Sequence, residues 1–146
     1  VGAAKACRLV AAFELAERIT PPEGVMVASS SDVAAIASSR IGRARTEQVL
    51  LFLLTGTNRV RRVVTVASGG ATGSSLPVRE VLSIALRHDA AALALAHNHP
   101  SGDATPSAAD FKATSRVRRA CGEVGLRFLD HVVVAGDQWR SVSASR

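Results

Sequence analysis

The chain has 146 residues, 47% of them hydrophobic and 21% charged, a composition that supports one domain with a substantial core and excludes intrinsic disorder. No apolar run approaches the roughly 18 residues that a membrane span needs, so no membrane association is expected. Eighteen Lys or Arg against twelve Asp or Glu give a formal charge of +6, concentrated after residue 110, where seven basic residues stand against three acidic ones; this permits weak attraction to nucleic-acid phosphates, but aromatics at 3% leave little for base stacking.

Apolar side chains at Ala6, Leu9, Val10, Phe13 and Ala16 recur at helical spacing and predict a helix over Ala3 to Ile19, ended by Pro21 and Pro22. Glu14 and Glu17 interrupt the apolar run that a signal segment needs, so none is expected there. Cys7 in this helix and Cys121 far downstream form no metal-ligand spacing and read as buried small hydrophobes in a reducing, cytoplasmic setting. Ser29 to Ser31 offer N-caps for a second short helix through Val33, Ala34 and Ile36, which Gly42 closes as a C-terminal glycine.

The wholly apolar run Val49 to Leu54 predicts a strand buried on both faces. Thr55 to Asn58 read as a turn into a second strand around Val60 to Val66, making a hairpin. A polar, Gly-rich loop follows over Ser68 to Ser75, then a helix over Val78 to Arg87 and a short strand over Ala91 to Ala96, stopped by Pro100. A long helix is expected from Ser107 to Val124, with Ala113, Val117, Ala120, Cys121 and Val124 inward and Lys112, Arg116 and Arg119 as a basic stripe, the candidate nucleic-acid contacts. His131 to Ala135 and Gln138 to Val142 flank Gly136 and Asp137 as a last hairpin. These elements describe an α/β domain with a mixed β-sheet flanked by helices, divided into a helical arm over residues 1–42 and an α/β unit over 43–146.

The chemistry concentrates in AALALAHNHPSGDATPSAAD, which starts at Ala91. Side chains alternate along a strand, so His97 and His99 point to the same side where the strand ends. The chain then turns through Pro100 to Asp103, and Asp110 in the first turn of the next helix can reach back to the imidazoles, its carboxylate favoured by the helix N-terminus. Two nitrogens and one oxygen with an open fourth position suit a catalytic zinc; a two-histidine, one-carboxylate iron site fits the same spacing. SAAD is also a capping box with Ser107 as N-cap and Asp110 at N3, a role compatible with ligation.

HNHPSGDATPSAAD resembles the signature of the RadC family, bacterial members of the JAB/MPN superfamily whose active branch is the JAMM metalloproteases. That motif is an upstream glutamate, then HxH, seven residues, Ser, two residues and Asp, and the spacing is met in full by His97, His99, Ser107 and Asp110. The likeness runs on through TEQVLLFLL, SSLPVREVL, ALRHDAAALALAHNHPSGD and LDHVVV. The resemblance implies a JAB/MPN fold, similar to cytidine deaminases, with a curved mixed sheet and a zinc ion held at its edge by His97, His99 and Asp110. It also implies that Glu47 takes a proton from the metal-bound water and passes it to the leaving group, and that Ser107 donates to the developing oxyanion. Asn98 stands between the histidines, as in RadC-like chains, where eukaryotic JAMM peptidases usually carry Ser or Thr. VGAAKACRLVAAFELAERI further resembles the end of a helix-hairpin-helix module, of which Gly2 and Lys5 remain as candidate phosphate contacts.

Other polar residues read as ordinary. Asp130 and His131 resemble the family's DH pair but face opposite ways on a strand, so His131 is expected to be structural or to support the site from behind. Glu80 reads as a helix acid, His88 as a surface residue at a helix C-terminus, and Arg59, Arg61 and Arg62 as a solvated patch. The resulting expectation is a zinc-dependent hydrolase of peptide or isopeptide bonds. The rivals are a DNA-associated repair or recombination accessory module with a non-catalytic metal, and a metal-binding interaction domain without turnover.

Overall fold

The computed structural model describes residues 2–8, 23–68 and 76–143. Its elements are α1 (Ser30–Ile41), β1 (Gln48–Leu54), β2 (Val60–Ser68), α2 (Val78–Arg87), β3 (Ala92–Asn98), α3 (Ala108–Glu123), β4 (Arg127–Ala135) and β5 (Gln138–Ser141). They form an α/β domain whose five strands lie in the order β2-β1-β3-β4-β5. Only β3 and β4 run parallel, joined by α3; the other neighbours are antiparallel, so the sheet is mixed and open.

Helices cover both faces, which is why β1 is apolar from Val49 to Leu54 and β3 from Ala92 to Ala96. Leu50, Phe52 and Leu54 of β1 and Ala92, Ala94 and Ala96 of β3 share a core with Val33, Ala34, Ala37 and Ile41 of α1. Leu51, Leu53, Leu93 and Leu95 face the other way, onto Val81 and Ala85 of α2 and Val117 and Cys121 of α3. Alternation then decides the last residues of β3: His97 continues the series that faces α2 and α3, and Asn98 the series that faces α1.

The helix expected over Ala3 to Ile19 is present over residues 3–8, and the rest of it lies outside the described residues. Cys121 is buried as expected, but Cys7 is exposed, because the helical turn that carries it presents every described residue to solvent. α1, which falls in the expected helical arm over residues 1–42, shares its core with the sheet. Gly42 follows α1, yet its φ of −58° is ordinary helix; a Cβ there would lie 2.6 Å from the Ser38 carbonyl oxygen of α1 and 2.9 Å from the Gly136 carbonyl oxygen, so the end of the helix and the turn between β4 and β5 together demand glycine. Three strand and helix limits also shift. β3 extends to Asn98 and β4 begins at Arg127, because the two pair in parallel from Ala92↔Arg127 to Asn98↔Val134. Val124, expected inward, is 45% exposed because the helix has ended and it stands at the C-cap. The loop expected over Ser68 to Ser75 lies outside the described residues apart from Ser68, which closes β2. Among the described residues, no helix is long and apolar enough to cross a membrane.

Candidate metal centre

The C-terminal end of β3 and the N-terminal end of α3 bring His97, His99 and Asp110 together, with one ligand atom from each lying within 4.8 Å of the others. His97 Nε2 is 3.0 Å from His99 Nε2 and 3.2 Å from Asp110 Oδ1, and His99 Nε2 is 3.5 Å from Asp110 Oδ2. His97 is buried, while His99 and Asp110 are half-buried, so the cluster is sheltered on the sheet side and open on the other.

The hydrogen bonds behind the cluster decide where its lone pairs point. His99 Nδ1 lies 2.8 Å from the Asp103 carbonyl oxygen, which can only accept, so Nδ1 carries the hydrogen and Nε2 is bare. For His97 two further side chains, Thr114 and His131, decide the tautomer. The Thr114 hydroxyl gives its one hydrogen to the Asp110 carbonyl oxygen at 2.7 Å, so it accepts from His131 Nδ1, also at 2.7 Å. His131 is fully buried, and burial above all pushes its pKa down to about 3, which keeps it neutral with a bare Nε2. His97 Nδ1, 2.8 Å away, must then donate to His131, so a neutral His97 has its Nε2 bare.

When both imidazoles are neutral, two bare nitrogens and a carboxylate oxygen converge with no hydrogen among them, and a cation, whether a metal ion or a proton on His97, relieves their repulsion. Zinc bonds of 2.0–2.1 Å set ligand atoms about 3.3 Å apart in a tetrahedron, and His97 Nε2 stands close to that spacing from both His99 Nε2 and Asp110 Oδ1. The donor set thus fits a divalent metal ion, and His97, His99 and Asp110 could hold it.

Asp110 serves two roles with different oxygens. Oδ2 accepts from the Ser107 backbone N–H at 2.7 Å and from its hydroxyl at 2.8 Å, while Asp110 N donates back to Ser107 Oγ, completing the capping box; Oδ1 is turned to His97. Burial alone would raise this carboxyl, but the hydrogen bond and charge of His97 in its protonated form, together with the two Ser107 donors, outweigh it and hold Asp110 well below the usual carboxylate range. In this arrangement the Ser107 hydroxyl hydrogen is directed to Asp110.

Glu47 is half-buried just ahead of β1. The antiparallel register ends with Val49 opposite His97; carried two residues further, it would set Glu47 opposite His99. No hydrogen bond or ion pair among the described residues ties Glu47 to the triad. Lys112, Arg116 and Arg119 are all exposed, away from the buried side of α3. As expected, Asp130 and His131 face opposite ways. The Asp130 carboxylate accepts from Ser30 Oγ and from the His131 backbone N–H, whereas His131 supports His97. Gly2 and Lys5 are exposed. Thr114 escaped the sequence reading; its place four residues after Asp110, one turn along the same helix face, is the signal that could have found it.

The RadC-like JAB domain profile matches residues 27–146. The chain belongs to the RadC family. Its curated relatives include UPF0758 proteins of Rubrobacter xylanophilus, 40% identical over 92% of this chain and 60% of the relative, and of Chromobacterium violaceum, 41% identical over 93% and 62%. A third, from Bordetella parapertussis, is 38% identical over 99% of this chain and 65% of the relative. The chain therefore spans about three fifths to two thirds of the length of these RadC relatives. The family match begins before α1, in accord with the packing of that helix on the sheet.

Proposed function

We propose that this RadC domain is a zinc-dependent hydrolase that cleaves a peptide or isopeptide bond with water, Glu47 acting as general base. The observation that carries the reading is the convergence of three lone pairs, from His97 Nε2, His99 Nε2 and Asp110 Oδ1, at the open end of the sheet. The JAB/MPN superfamily includes metalloisopeptidases, which supports hydrolysis as the reaction class. Bound there, zinc supplies a Lewis acid and brings the pKa of a coordinated water near 7. The chain's own residues do the rest. His131 and Thr114 hold His97 in the tautomer that presents Nε2, and the Asp103 carbonyl does the same for His99. Glu47 accepts a proton from the attacking water on the His99 side and returns it to the leaving amine. Ser107 turns its hydroxyl from Asp110 to the developing oxyanion, and Asp110 Oδ2 keeps the Ser107 backbone N–H meanwhile.

The test is metal content by mass spectrometry together with hydrolysis of a peptide and isopeptide panel. Purified chain should carry about one zinc and cleave a member of the panel; Glu47→Gln should keep the zinc and lose cleavage. Unaltered cleavage in that variant refutes the mechanism. The exposed stripe of Lys112, Arg116 and Arg119 on α3 favours a second reading, a DNA-associated module with a non-catalytic metal. That reading requires DNA affinity that falls steeply with salt and with loss of the three side chains.

A further inference from the structure

Glu47 sits in the segment between α1 and β1, where a base has to be held by something other than a helix or a strand ladder. The backbone bonds of this segment come early: Ala44 N–H to the Ile41 carbonyl, and the Gly42 carbonyl to Gly136 N–H. Beyond them, one side chain takes over. Asn98, between the two histidines on β3 and fully buried, accepts the Gln48 backbone N–H on Oδ1 at 2.7 Å. Its Nδ2 donates to the Thr46 carbonyl at 3.0 Å and to the Ala44 carbonyl at 3.3 Å.

The Thr46 carbonyl belongs to the peptide group before Glu47, and the Gln48 N–H to the peptide group after it. Each peptide group is a rigid plane, and the φ and ψ of Glu47 are the only soft torsions between these two. A single buried amide holding both planes therefore fixes the direction in which Glu47 leaves the backbone. Asn98 lies on the α1 side of β3 and His97 on the other, so the amide grips the segment from the side away from the His97 imidazole. Because Asn98 is bonded in sequence to both histidines, the base and the imidazoles are referenced to the same three residues of β3.

We infer that Asn98 is a positioning residue for Glu47, its carboxamide clamping the two peptide groups that flank the base and so setting the distance of the base from the metal centre. This rests on the proposal that Glu47 is the base, and the test separates the two. In the full chain loaded with cobalt, paramagnetic relaxation of the Glu47 side-chain carbons reports their distance from the metal, and amide hydrogen exchange reports the hold on Gln48. Wild-type chain should show strong relaxation at Glu47 and a protected Gln48 amide. Asn98→Ala should bind zinc within about threefold of wild type, since no ligand atom is touched, while Gln48 exchange rises about tenfold to a hundredfold, as expected for a lost buried hydrogen bond. Relaxation at Glu47 should weaken. Asn98→Ser, which keeps a polar group too short to span both peptide planes, gives the same reading should the alanine variant not fold. Unchanged Gln48 exchange and Glu47 relaxation in a folded variant overturn the clamp while leaving Glu47 as the base. Absence of relaxation at Glu47 in the wild-type chain overturns the base assignment, and with it the role of Asn98.

Discussion

Thr114→Val tests the hydrogen-bond chain that presents His97 to the metal. Valine fills nearly the same volume, so no cavity opens, and the Asp110 carbonyl keeps the helical bond from the backbone N–H of residue 114. What disappears is the acceptor for His131 Nδ1–H, 2.7 Å from Thr114 Oγ1 and wholly buried. Leaving such a donor unpaired costs about 1–3 kcal/mol. His131 can relieve the cost by moving its hydrogen to Nε2, but that hydrogen then points at His97 Nδ1, which must become an acceptor. His97 would carry its own hydrogen on Nε2, aimed into the ligand set. The variant therefore loses stability, metal affinity, or both. We expect metal-free unfolding in urea to show a loss of up to about 3 kcal/mol, and zinc affinity, by competition with a chromophoric chelator, to fall about 10- to 100-fold. Thr114→Ser, which retains the hydroxyl, should stay close to wild type in both. Stability within about 0.5 kcal/mol, a shift typical of a neutral surface substitution, together with unchanged zinc affinity in Thr114→Val, would refute the chain of tautomers.

Two further outcomes follow from the same geometry. Asp110→Asn can still cap α3 through its side-chain oxygen, so metal-free stability should move by no more than about 1 kcal/mol, whereas zinc should be lost; retained zinc by mass spectrometry would remove Asp110 from the ligand set. Burial pushes the Cys121 thiol up to about 11 from an ordinary 9.0, so its thiolate forms more readily in the unfolded chain. The stability tied to the neutral thiol is complete below pH 9 and is lost as pH rises toward 11. At pH 10 the loss is about 1.4 kcal/mol, and the chain has no tyrosine to obscure it. Urea unfolding under reducing conditions at pH 8 and pH 10 should show this loss in wild type and a smaller one in Cys121→Ala; equal losses would refute the assignment.

Much of this protein is written in local patterns. Alternation along β3 is enough to put His97 and His99 on one side, and helical geometry is enough to put Ser107 and Asp110 in one capping box, because both depend on residues a few positions apart. The apolar runs of β1 and β3 likewise announce burial on both faces before any packing is known. The supports of the site depend instead on which elements meet. Thr114 and His131 lie 17 residues apart and touch only because α3 packs against β4, and Asn98 grips a segment about 50 residues upstream only because β1 and β3 are neighbours. Gly42 divides in the same way: a Cβ there would meet the Ser38 carbonyl at 2.6 Å, four residues back, and the Gly136 carbonyl at 2.9 Å, 94 positions away in sequence, so only part of the need for glycine is local. Local spacing selects the ligands because a turn of helix or two residues of strand has one geometry. Tautomer, clamp and clearance are settled by tertiary structure, because each is a contact between segments whose separation along the chain says nothing about their separation in space.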